Sequence, residues 1–161
     1  MKKRAFILSA IFLSLLSGCV SQPLSNAESI PVAESKILAP MSIRQDFPDA
    51  AKTVVKRDSG FRGSACDFTI YLNGEPIVKL APKEKFEMFL KPDIYILGAQ
   101  PEDNLCALGV GMTEVEANLT NGKAANYRIG YDEGSGFQVY KTAFSSTEKV
   151  GPISNSFGTK A

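Results

Sequence analysis

Histidine is absent from all 161 residues. With it go the usual general acid or base near neutral pH and the commonest nitrogen ligand for metals, which leaves metal-centred and histidine-dependent catalysis without their ordinary parts. A basic field is missing too. The formal charge is +1, and three of the positive charges belong to Lys2, Lys3 and Arg4, without which the balance is −2. Nothing here neutralises a phosphate backbone, so no nucleic-acid partner is expected. Beyond the first twenty residues no apolar run approaches the length of about 20 that a membrane-crossing helix needs. The three cysteines include no Cys-x-x-Cys pair, and no histidine stands by to complete a zinc site. No cofactor and no metal are expected.

Hydrophobic residues make up 44% of the chain and charged residues 22%, a balance that buries a core and argues against wholesale disorder. The length suits one ordinary domain. At the N-terminus, Lys2, Lys3 and Arg4 precede an apolar stretch from Ala5 to Leu16, closed by the small residues Ser17 and Gly18 and by Cys19. That order of charge, short apolar run and small residues reads as a signal peptide over residues 1–18.

Leu16-Ser17-Gly18-Cys19 resembles the lipobox of bacterial lipoproteins. The resemblance implies a diacylglycerol on Cys19, cleavage on its N-terminal side and acylation of the new terminus. Several acyl chains, at about 0.8 kcal/mol per buried methylene, hold a protein on its membrane where one chain does not. In Gram-negative relatives an aspartate directly after the lipidated cysteine is the commonest inner-membrane retention signal. Here that residue is Val20, which implies the outer membrane, with the domain facing the periplasm.

From residue 19 to residue 49 the chain is rich in Ser, Pro, Ala and Asn with no sustained period, as in a flexible tether. Residues 145–161 read as a polar, loose tail. Between them, residues 50–144 carry short alternating runs separated by Gly, Pro, Asn and Asp, which predicts an all-β domain, a small immunoglobulin-like or transthyretin-like β-sandwich. Phe68, Ile70 and Leu72 share one phase, Asn73-Gly74 makes a hairpin turn, and Ile77, Val78 and Leu80 return. Phe86, Met88 and Leu90 then alternate and are expected to pair with Ile94 to Leu97 across Lys91-Pro92-Asp93. Further strands are predicted at 107–112, at 113–119 with Val115, Ala117 and Leu119 inward, at 125–131 and at 137–142. Tyr127, Ile129 and Tyr131 share a core-facing phase, with the tyrosine hydroxyls near the rim.

With Cys19 assigned to lipid, Cys66 and Cys106 are left as a pair in an oxidising compartment, where a disulfide is the expected state and a reactive pair or free thiols the alternatives. The stretch Phe68 to Val78, followed by Leu80, the turn at Lys83-Glu84 and Phe86 to Tyr95, resembles the DUF2846-like group of bacterial lipoproteins and the PEGA-type repeat of envelope proteins. Both are regarded as transthyretin-like or immunoglobulin-like sandwiches, and both imply an envelope location without an activity. The sequence departs from them at Lys91-Pro92-Asp93, where Pro-Gly is common.

Few residues offer chemistry. Glu114 and Glu116 leave one face of a predicted strand and are read as a solvated outer face rather than a paired-carboxylate site. Asp132-Glu133-Gly134-Ser135-Gly136 lacks both calcium-loop and phosphate-loop spacing and reads as a strand connection. Tyr71, opposite the apolar phase of its strand, is a possible contact residue, as are Arg57 and Arg62, which with Lys56 form a modest basic cluster, read first as a solvated loop and in the alternative as a contact for anionic lipid or glycan. These features point to a noncatalytic binding or structural module, lipid-anchored and serving an envelope protein complex or peptidoglycan. Two alternatives stay open: a small-ligand carrier with a cavity between its sheets, and a hydrolase using Ser-Lys or paired carboxylates, which need no histidine.

Overall fold

The computed structural model describes residues 21–60, 66–102, 111–120 and 122–143. Its strands are β1 (Ile30–Pro31), β2 (Ala51–Arg57), β3 (Phe68–Leu72), β4 (Glu75–Leu80), β5 (Glu84–Leu90), β6 (Ile94–Pro101), β7 (Thr113–Asn118), β8 (Ala125–Asp132) and β9 (Gly136–Thr142), with 3-10 turns at Glu34–Lys36 and Met41–Ile43. Two sheets form, one in the order β1-β5-β2-β8-β9 and the other β4-β3-β6-β7. The chain is an all-β sandwich.

Local chemistry explains several elements directly. Phe68 and Ile70 of β3 are fully buried while Thr69 between them is half-buried. The β3–β4 turn takes positive φ at both Asn73 (49°) and Gly74 (82°), the mirror-image turn that suits the twist of paired strands. Phe86, Met88 and Leu90 of β5 and Ala125, Tyr127 and Ile129 of β8 supply the facing layer of the core. Phe68 and Phe137 meet edge to face across the two sheets, with ring centroids 4.8 Å apart.

β2 runs antiparallel to β5 and parallel to β8. An immunoglobulin sandwich instead joins its strands A, B, E and D in one sheet and C, F and G in the other. Joining the first long strand to the eighth, in parallel, departs from that order.

Four expectations need correction. β5 and β6 do not pair: β5 takes β2 as its partner and β6 takes β3 and β7, because the chain changes sheets across the 91–93 turn. β2 lies at the centre of its sheet although no strand is predicted there. All its residues but Lys52 are buried, and a strand covered on both faces loses the alternation by which strands are recognised. Tyr127 does not reach the rim. Its hydroxyl is buried with no hydrogen-bond partner among the described residues, and burial pushes it above the usual phenol range, helped by Glu116.

The fourth correction concerns the stretch read as a flexible tether, which is docked along much of its length. Gln22 and Ser59 form an antiparallel bridge, β1 pairs in parallel with β5, and Ile37 bridges to Val78. The amides of Leu38 and Ala39 both donate to the Ile77 carbonyl, at 2.9 and 2.8 Å. Lys36 then ties the segment to Asp67 at 3.0 Å and Glu84 at 3.2 Å. β5 and β4 would otherwise be adjacent sheet edges with unpaired backbone groups, and the segment covers both. Its Ser, Pro and Asn content suits irregular backbone along an edge as well as it suits a free linker. The predicted strand at 107–112 lies mostly outside the described residues, and Gly111 and Met112 are not in a strand. The 145–161 tail lies outside them entirely.

Candidate functional site

The outer face of β4-β3-β6-β7 gathers most of the expected contact and acidic residues. Register places Tyr71 opposite Gly98 and Gly98 opposite Glu114, so one row crosses three strands with no side chain at its centre. A Cβ at Gly98 would stand 3.3 Å from Met112 Sδ, 3.4 Å from Tyr71 Cβ and 3.6 Å from Glu114 Cγ. The glycine therefore lets these three side chains close over bare backbone.

A surface depression of about 550 Å³ opens beside this row, lined by Asn73, Gly74, Ile96, Glu114, Val115 and Glu116. Apolar side chains crowd its neighbourhood: Ile94 is 49% exposed, Ile96 40% and Met112 41%. Beyond Tyr71 lies a second, polar depression of about 390 Å³, bounded by Thr69, Lys79, Gln100 and Glu102. There Lys79 pairs with Glu102 at 2.7 Å, and Thr69 donates to the same carboxylate at 2.6 Å. Burial is the largest single influence on Glu102 and raises it, but these contacts together outweigh burial and hold the carboxyl below the usual carboxylate range. Tyr71 is half-exposed between the two depressions, its hydroxyl 3.4 Å from Gln100 Oε1.

This face can grip an apolar side chain between acidic neighbours. Sequence reasoning placed Tyr71, Glu114 and Glu116 outward but missed Ile94, Ile96 and Met112. In Ile94-Tyr95-Ile96-Leu97 both phases are apolar, so alternation alone cannot pick the outward one; Gly98 inside the strand was the available signal. Among the described residues, no group of three or more acidic, cysteine or histidine side chains is placed to hold a metal ion.

The basic cluster expected near residue 57 is not a surface feature. Arg57 is 2% exposed and Lys56 fully buried. The Arg57 guanidinium stacks on Phe68 at 4.4 Å and approaches Phe137 at 5.6 Å, donating to the carbonyls of Cys66 and Leu80. Burial pulls its pKa down to about 10, against the attraction of Asp67 and Asp58. Lys56 points to the other face of β2, beneath the docked N-terminal segment, and donates to Asn26 Oδ1 at 3.0 Å. Next along the chain, Asp58 accepts from Arg128 and from Ser21 Oγ. Its second oxygen is buried without a hydrogen-bond partner among the described residues, and burial raises its carboxyl despite Arg128 and Ser21. The Lys-Arg-Asp run at the end of the central strand thus turns its charged groups into the protein rather than to solvent.

Arg62, Cys19 and Cys106 lie outside the described residues. Cys66 is 6% exposed at the entry to β3, and its carbonyl accepts from Arg57. Asp132, in the acidic glycine-rich stretch, uses Oδ1 to accept the amides of Gly134 and Ser135, at 2.9 and 3.0 Å, which is turn chemistry. Compared with protein-family models, curated proteins and solved structures, the chain finds no match in any of the three.

Proposed function

We propose that this chain is a lipid-anchored protein of the bacterial envelope, its sandwich a noncatalytic binding or structural module held at the periplasmic face of the outer membrane. The observation that carries the reading is Leu16-Ser17-Gly18-Cys19, placed after a positive trio and a short apolar run. Val20 after the cysteine supports the outer membrane. The oxidising compartment makes Cys66 and Cys106 a disulfide.

The face bearing Tyr71, Ile96 and Met112 supports binding, since exposed apolar side chains gathered beside polar ones mark interaction surfaces. The partner is an envelope protein or peptidoglycan. Glu114 and Glu116 flank this surface and contribute charge to it rather than acid–base chemistry.

Two measurements test the reading. Mass spectrometry of the mature N-terminus is expected to find a lipid-modified Cys19; an unmodified terminus at another residue would overturn the anchor. A photo-crosslinker at Ile96 is expected to capture an envelope component that one at Glu133, on a remote turn, does not. Equal capture, or none under several growth conditions, would remove the binding face.

A further inference from the structure

The docked N-terminal segment fixes how an anchored sandwich meets its membrane. The bridge between Gln22 and Ser59 closes with two backbone bonds of 2.7 and 3.1 Å. Behind it, Ser21 holds Asp58 at 3.1 Å. Asn26 accepts from Lys56 at 3.0 Å, donates to Asn126 at 2.8 Å and takes Lys85 on its carbonyl at 2.8 Å. The chain is thus fastened to the sandwich from Ser21 onward.

Only Val20 and Ser21 lie between Cys19 and Gln22, so the three steps of chain reach about 10 Å even fully extended. A free tether of about 30 residues would instead wander over roughly 30 Å and set no orientation. Resting on the proposed lipidation of Cys19, we infer that the sandwich stands end-on to the bilayer, with the end at Ser59 and the 133–135 turn against the lipid headgroups.

Strand directions identify that end. Arg57 is level with Ile129 and the Asp58 amide donates to the Ile129 carbonyl, which puts Ser59 near Tyr131 and the 133–135 turn just beyond. Lys83 joins them, its amide donating to the Arg57 carbonyl at 3.2 Å. The Asn73–Gly74 turn lies at the far end, about six strand residues or roughly 20 Å away at about 3.3 Å each. Among the described residues at the near end, exposed Lys83 is offset by exposed Asp132 and Glu133, so the covalent anchor rather than these charges sets the approach. The depression at Asn73, Ile96 and Glu114 then opens sideways from the sheet face near the end remote from the bilayer, within reach of a periplasmic partner.

The chain contains no tryptophan, so a single introduced indole reports its own position. Glu133→Trp marks the near end and Glu75→Trp the far end, both at exposed sites. The lipid-modified full chain is placed in phosphatidylethanolamine–phosphatidylglycerol vesicles that carry a headgroup nitroxide lipid. With the sites roughly 20 Å apart, quenching of E133W is expected to be roughly twofold or more that of E75W. Ser135→Trp and Lys91→Trp repeat the comparison if either first variant misfolds. Equal or reversed quenching, with lipid on Cys19 confirmed by mass spectrometry of the same sample, overturns the orientation and leaves the proposed function standing. An unmodified Cys19 overturns both. Fast amide exchange at Gln22 in lipid-free protein would overturn the orientation alone.

Discussion

Lys56 donates its ammonium to Asn26 Oδ1 at 3.0 Å, a contact between the middle of the first sheet and a residue thirty positions upstream. Burial pulls the lysine below its usual range, with Asp58 opposing that effect and Arg128 and Lys85 adding to it. The N-terminal segment is thereby part of the fold. Asn26→Ala, which deletes this acceptor and the bond to Asn126, is expected to lower stability by about 1–3 kcal/mol. Urea unfolding checks it, through a lower midpoint at unchanged slope. Lys56→Met replaces a buried charge with an apolar group of similar length and is expected to cost far less. The double variant should be less destabilised than the sum of the two; simple additivity would mean that Asn26 and Lys56 do not support one another.

Covering two sheet edges with one segment predicts a different response at Leu38. Its amide donates to the Ile77 carbonyl at 2.9 Å while its side chain is 49% exposed. Leu38→Pro removes the donor at the cost of little packing, about 1 kcal/mol in stability. The larger effect is expected in association, because β4 regains an open edge. Analytical ultracentrifugation across a concentration series should find the variant self-associating where the parent is monodisperse; matching profiles would show that the segment does not guard the edge.

Arg57 tests the buried charge in the other layer. Its planar guanidinium stacks on Phe68 and reaches two carbonyls, a geometry an ammonium does not reproduce. Arg57→Lys keeps the charge yet is expected to cost about 1–3 kcal/mol, from lost stacking and an incompletely satisfied carbonyl. Thermal unfolding of the two proteins side by side decides it. Equal midpoints would make the stacking incidental.

These three residues also mark where the sequence was readable and where it was not. Strands with one dry face announced themselves: Phe68, Ile70, Met88 and Leu90 are buried as their alternation predicts, and Asn73-Gly74 turns as its residue types require. β2 was illegible because both its faces are covered, so Lys56 and Arg57 looked like a basic surface when they are interior groups with partners far away in sequence. The docked segment was illegible because edge coverage uses backbone groups, which every residue carries. On the candidate face, Tyr71, Glu114 and Glu116 were placed outward by alternation, but only register could put Tyr71, Gly98 and Glu114 in one row.

Asp58 gives the fold a pH signature. Its carboxyl is raised in the folded protein, chiefly by burial, so the folded state binds a proton more tightly than the unfolded chain does. The corresponding stability is fully present below the unfolded value of 3.8 and is lost as pH rises through the raised folded value. Glu87, held low mainly by its hydrogen bond from Lys52, runs the opposite way and loses its contribution as pH falls below 4.5. Comparing the parent with Asp58→Asn isolates the first effect: the parent should lose ground to the variant as pH is raised from about 3 to 7. A parent that gained ground over that range would mean that Arg128 outweighs burial at Asp58.

Cys66 offers the last test, since it lies at the junction of the proposed disulfide and the Arg57 contact. A bond from Cys66 to Cys106 closes a loop of about 40 residues, and the chain-entropy model assigns it roughly 4 kcal/mol. Thiol titration of denatured, unreduced protein is expected to find neither cysteine free, and reduction to lower the denaturant midpoint by an amount near that figure. Because the Cys66 carbonyl accepts from Arg57, loosening the loop also releases the guanidinium from one of its anchors. Arg57→Lys should therefore cost less in reduced protein than in oxidised protein. Equal costs in the two states would separate the disulfide from the buried arginine, and two titratable thiols in the oxidised sample would dispose of the disulfide itself.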